Sequence, residues 1–112
     1  MNKKILTDKE KKILNQIKHL ISREFQIHQL YFYGSRVRGK AKMTSDYDVL
    51  IITKDNLSWW QKRRISDLTL EVDLEFDIMT DIRIYTKNDI ENSILGQTPL
   101  MQNVFNEGLL YE

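Results

Sequence analysis

The chain has no cysteine, one proline and four glycines in 112 residues. The missing thiols exclude disulfides and any thiolate zinc site, and they fit a reducing compartment. Only two histidines occur, His19 and His28, and neither has a companion at metal-ligand spacing, so no function is assigned to them. Neither sign of charge dominates. Seventeen Lys and Arg against sixteen Asp and Glu leave a formal charge of +1, which gives no argument for a nucleic-acid or membrane partner. No long hydrophobic run is present either. The longest aliphatic stretch, Val49 to Ile52, is far below the roughly 20 apolar residues of a membrane span. The lysines of the opening MNKKIL are followed at once by Thr7-Asp8-Lys9-Glu10, which leaves no apolar signal-peptide core. A cytoplasmic location is the expectation.

What is present reads as one globular domain over residues 1–112, 41% apolar and 29% charged. Thr7 and Glu10 form a capping-box signature, and Ile13, Leu14, Ile17, Leu20 and Ile21 recur at helical spacing. The pattern predicts a helix from about residue 8 to about 25. Ile27 to Tyr33 is rich in branched and aromatic residues and reads as a strand ended by Gly34. Ser35 is placed to open a short helix that ends near Gly39, and 40–45 reads as a polar loop. Asp46 to Thr53, nearly all apolar after Asp48, predicts a central strand. Ser58 to about Leu74 reads as a second long helix, with Ile65, Leu68 and Val72 on one face. Glu75 to Thr80 then reads as a third strand, so that strand, helix and strand form a crossover unit or an antiparallel return. Asn88 caps a short helix through Leu95. Thr98-Pro99 opens a last helix that Gly108 closes, and Leu109 to Tyr111 adds an edge strand. The fold class is α/β (α+β): a small mixed sheet with helices packed mainly on one face.

The stretch that concentrates chemistry is Tyr31 to Thr53, YFYGSRVRGKAKMTSDYDVLIIT. Strand periodicity puts Asp46 and Asp48 on one face, about 6.6 Å apart. At an effective dielectric near 20 their repulsion is roughly 2.5 kcal/mol, so a divalent metal or one of Arg36, Arg38, Lys40 and Lys42 is expected between them. Asp77, embedded in the apolar run EFDIMT, is expensive to bury unless paired or metal-bound, and is expected to face the same site. Gly34-Ser35, ten residues, then Asp46-Tyr47-Asp48 supplies amides and a hydroxyl for phosphate oxygens and carboxylates for magnesium.

Residues 34 to 48 resemble the signature of the polymerase beta nucleotidyltransferase superfamily. GSRVRGKAKMTSDYDVLII in so short a chain is similar to its minimal nucleotidyltransferase (MNT) branch. The order of helices and strands and the TPLMQNVFNEG tail extend the likeness over nearly the whole chain. The resemblance implies a polymerase-beta-like fold in which Gly34, Ser35 and Arg36 hold nucleotide phosphates. Asp46, Asp48 and Asp77 would be metal ligands and catalytic residues, with Asp77 helping to deprotonate the attacking hydroxyl. Arg38 reads equally as a surface ion-pair partner.

The implied cofactor is Mg2+, as two ions, with ATP as substrate. Larger relatives carry a second domain; none is expected here, so another chain is expected to complete the site in a hetero-oligomer. MNT proteins commonly act as antitoxins of HEPN ribonuclease toxins. The resemblance therefore implies AMP transfer to a hydroxyl, a tyrosine, on such a toxin, with neither membrane nor direct nucleic-acid binding. The alternative is a binding module that neutralises its partner by occlusion alone.

Trp59-Trp60 is read as one buried and one surface ring, or as a partner surface. Lys62-Arg63-Arg64 is read as a solvated helix face. Glu71, Asp73 and Glu75, alternating with apolar residues, are read as a solvent-facing edge, and Met43, Met79 and Met101 as packing.

Overall fold

A computed structural model describes residues 5–39, 41–42 and 46–112. Lys40, Met43 and most of the expected 40–45 loop lie outside the described residues. The elements are α1 (Asp8–Ser22), β1 (Ile27–Tyr33), β2 (Tyr47–Thr53), α2 (Trp59–Phe76), β3 (Thr80–Thr86), α3 (Lys87–Asn92), a 3-10 turn (Ile94–Gln97), α4 (Pro99–Glu107) and β4 (Leu109–Tyr111). The sheet order is β3-β2-β1-β4. β1 runs antiparallel to both β2 and β4, while β2 and β3 are parallel and joined over the sheet by α2. The sheet is therefore mixed, and of the two connections the sequence left open, the crossover is the one formed.

The strand β2 shows how the layers arise. Its period-two alternation sends Tyr47, Val49 and Ile51 into a core with Ile13, Leu14, Ile17 and Ile21 of α1 and Ile65, Leu68 and Val72 of α2. Leu50 and Ile52 go to the opposite face, against Met101 and Val104 of α4. Burying each such aliphatic side chain contributes roughly 1.5–3 kcal/mol. The two long helices thus lie on one face, and α4 packs on the other, over Leu50, Ile52 and Tyr31. The end of β2 that carries Asp48 stays outside that cover. No helix among the described residues is long and apolar enough to cross a membrane.

The starts of the three longer helices follow the sequence closely. Thr7 and Glu10 make both bonds of the capping box, Ser58 and Gln61 do the same for α2, and Thr98 caps α4 with Pro99 at its first position. Helix ends do not. α1 stops at Ser22, before the expected residue 25, and Arg23 is its C-cap. The short helix α3 is capped by Thr86 with Asp89 returning the bond, rather than by Asn88. It gives way to a 3-10 turn, because the Ser93 hydroxyl caps the Leu95 amide and restarts the chain.

The expected third strand at Glu75 to Thr80 is the main correction. Leu68, Val72 and Phe76 continue the inward stripe of α2, which runs to Phe76 and ends on Asp77 in the left-handed region at φ 52°. The alternating acids over 71–77 imitate a strand because the helix also turns Leu70 and Leu74 outward, 53% and 77% exposed. The strand begins at Thr80, and Tyr47 donates its N–H to the Met79 carbonyl at its threshold.

Candidate functional site

Strand register brings three side chains abreast. Tyr33 of β1 lies opposite Asp48 of β2, and Asp48 lies opposite Asp81 of β3. Adjacent strands are about 4.8 Å apart, so Asp48 and Asp81 are neighbouring carboxylates on the face that α4 leaves open. Asp46, two residues before Asp48, continues the same side at the exposed mouth. Burial raises the Asp48 carboxyl above its ordinary range, and the negative charges of Asp81 and then Asp46 push it further, while Arg38 and Arg83 pull it down. Tyr33 is pushed up to about 12, first by burial and then by the Asp48 charge.

The turn after β1 is shaped around this row. Gly34 has φ +87°, and a Cβ there would stand 2.0 Å from Asp48 Oδ2. Only glycine lets the backbone pass so close to the carboxylate. The Gly34 carbonyl accepts from the amides of both Val37 and Arg38, at 3.1 Å each. The segment is thus a hydrogen-bonded turn rather than the short helix expected from Ser35, because two such bonds close it and Gly39, at φ +72°, leads the chain out. The Ser35 amide has no backbone partner among the described residues, and an open amide in such a turn can receive an anion.

The cations fall differently from expectation. The Arg36 guanidinium sits 3.9 Å from the centroid of the Tyr47 ring and reaches the Lys42 carbonyl at 3.5 Å. Tyr47 packs into the α1–α2 core, so Arg36 is held toward that side. Arg38 acts on Asp48 electrostatically and also pairs with Glu107 at 3.8 Å on the surface. Arg83, absent from the sequence reading, is the second cation felt by Asp48. It lies two residues beyond Asp81 on β3, and its pKa is raised first by Tyr33 and then by Asp81.

Asp77 is exposed at the C-cap of α2, where its N–H bonds to the Asp73 carbonyl. It is not among the groups that perturb Asp48. The acid that stands on a strand beside Asp48 is Asp81. The signal for Asp81 was the run TDIRIYT, whose polar and apolar residues alternate and which lies a full turn past the last inward residue of α2. The electrostatics of Asp48, Asp81 and Asp46 and their all-oxygen donor set suit a hard divalent cation. No three His, Cys, Asp or Glu among the described residues form a ready-made metal cage. Such a cation would therefore complete its shell from water and a bound phosphate.

Chemically, carboxylates beside a glycine turn can bring a metal-bound polyphosphate and a hydroxyl together. Comparison with known proteins agrees with this geometry. The family profile described as polymerase beta, nucleotidyltransferase matches residues 15–111. Among solved structures, a toxin-antitoxin crystal structure with AMP-PNP is 21% identical at a TM-score of 0.59, covering 86% of this chain and 69% of that one. A crystal structure of a mutant of the toxin-antitoxin MntA-HpeT is 17% identical at a TM-score of 0.59, covering 93% of this chain and 72% of that one. At these identities the likeness is one of fold. No curated protein sequence matches.

Proposed function

Because this chain belongs to the polymerase beta nucleotidyltransferase family, we propose that it transfers AMP from ATP to a hydroxyl of a partner protein, and that the partner is a HEPN ribonuclease toxin modified on a tyrosine. The observation that carries the reading is the row Asp48–Asp81, with Asp46 at its mouth, set directly against the Gly34 turn. A nucleotide and a protein partner are supported by the fold neighbours, which are toxin-antitoxin structures, one of them with AMP-PNP.

Asp46, Asp48 and Asp81 would hold Mg2+, with Asp81 in the role that the sequence assigned to Asp77. When bound, the metal neutralises charge on the triphosphate and on the departing pyrophosphate. The Gly34-Ser35 turn orients the β and γ phosphates through its amide and hydroxyl. Arg38 and Arg83 add positive charge at the rim. Asp81 accepts the proton of the attacking hydroxyl. The oxygen of that hydroxyl bonds to the α phosphorus as the bond from phosphorus to the bridging oxygen breaks, and pyrophosphate leaves.

The test is incubation with ATP labelled at the α phosphate and with magnesium, with and without the protein encoded in the neighbouring reading frame. Wild type is compared with the double variant Asp46→Asn/Asp48→Asn. Label on the partner from wild type only is the expected result. If neither chain transfers label, yet both bind and silence the partner equally, the protein acts by occlusion and the transferase reading fails.

A further inference from the structure

β3 is the outermost strand on its side of the sheet, and it is the strand that carries Asp81. Over seven residues, TDIRIYT, it has no proline and no lysine, and its register against β2 is unbroken. Proline, lysine and bulges, three devices that commonly keep a sheet edge from pairing, are absent from this strand. Tyr47 bonds to the Met79 carbonyl, so in this parallel ladder residues 79, 81, 83 and 85 turn their backbone groups toward β2. The N–H and C=O groups of Thr80, Ile82 and Ile84 therefore point outward. No backbone hydrogen bond from elsewhere among the described residues reaches them. The next outward amide, Thr86, is already taken by Asp89 Oδ2 at 3.0 Å. Apolar surface flanks this edge: Ile82 and Ile84 are only partly buried, and Met79, at the entry to β3, is 70% exposed.

We infer that this edge docks the acceptor: an extended segment of the partner protein pairs with Thr80–Ile84 and sets its hydroxyl residue beside Asp81. The inference rests on the transferase reading and adds how the substrate is presented. A strand added at the edge lies about 4.8 Å from β3, so the side chain opposite Asp81 and on its face reaches the carboxylate row. The segment residue two positions away stands against Arg83, which is exposed. An acidic residue there is the charge complement. The occupant is thus an extended stretch with a hydroxyl residue and an Asp or Glu at a spacing of two, and an apolar residue between them that meets Ile82. A second copy of this chain fits less well. Two-fold pairing about Ile82 would set Arg83 of each copy against Asp81 of the other and close the carboxylates to substrate.

The experiment is amide hydrogen exchange on the wild-type chain with AMP-PNP and magnesium, before and after adding the protein that it labels. Exchange at Thr80, Ile82 and Ile84 is expected to slow by about tenfold or more on addition of that protein. Ile82→Pro deletes an outward N–H and leaves the ladder to β2 intact. It is expected to raise the KM for the acceptor by about tenfold, with AMP-PNP binding retained and with Ile82→Val labelling as wild type does. Unchanged exchange at these three amides, or equal labelling by the proline variant, overturns the docking edge and leaves the transferase reading standing. Slowing that depends on the chain's own concentration without the partner identifies a second copy and also overturns it. No label from wild type overturns the transferase reading, and the docking edge with it.

Discussion

Gly34 and Asp48 share one space: a Cβ on Gly34 would stand 2.0 Å from the Asp48 carboxylate oxygen, and the backbone there has φ +87°. The site requires glycine on two counts, handedness and room. Gly34→Ala is expected to destabilise the fold by about 1–3 kcal/mol and to lower AMP transfer by about 100-fold. Denaturant melts and labelling assays on one preparation separate the two effects.

Asp81 and Asp77 give the sharpest contrast. Asp81→Asn is expected to cost about 100-fold or more in transfer, because it lies beside Asp48. Asp77→Asn is expected to stay within about twofold of wild type, since asparagine tolerates the left-handed cap that Asp77 occupies. The check is kcat for each variant with ATP and magnesium. A reversed order would return the third carboxylate to Asp77.

Asp48 weakens the fold that it serves. Its carboxyl is raised by burial and then by Asp81 and Asp46, so the folded protein holds that proton more tightly than the unfolded chain does. The resulting penalty is absent below the ordinary Asp pKa, and it grows as pH rises through the folded value. Asp48→Asn is therefore expected to raise Tm at pH 7 in metal-free buffer while abolishing transfer. The gain should vanish toward pH 3, which thermal melts across pH would reveal.

Trp59 and Trp60 contact each other edge to face, with ring centroids 4.6 Å apart, and both are largely exposed, at 63% and 74%. Neither is the buried ring that the sequence reading allowed. Trp60→Ala is expected to change stability by no more than about 0.5 kcal/mol, whereas Ile51→Ala in the core should cost about 2–5 kcal/mol. Urea melts of the two variants test this ranking.

The parts of the fold that were legible in the sequence are those with local chemistry. Caps at Thr7, Ser58 and Thr98, the branched strand β2, and the Gly34 to Asp48 spacing each announce themselves within a few residues. What was hidden depends on tertiary context. The end of α2 was obscured because Leu70 and Leu74 are outward apolar residues, so alternation over 71–77 looked like a strand. That displacement carried the third carboxylate to Asp77 in the sequence reading. Arg36 sits in the expected motif, but its stacking on Tyr47 follows from how the turn folds over the core, which no spacing records. Arg83 was missed because its partner Tyr33 lies on another strand.

The parallel crossover has a consequence in time. Asp48 and Asp81 become neighbours only after the whole of α2 has been laid down and β3 has returned beside β2. Pairings of this kind close a long loop before any contact rewards it, and they form late. A partly folded chain can keep the β1–β2 hairpin and its glycine turn and still lack the carboxylate pair. On the transferase reading, the first label transferred in a refolding experiment would then mark the return of β3 beside β2.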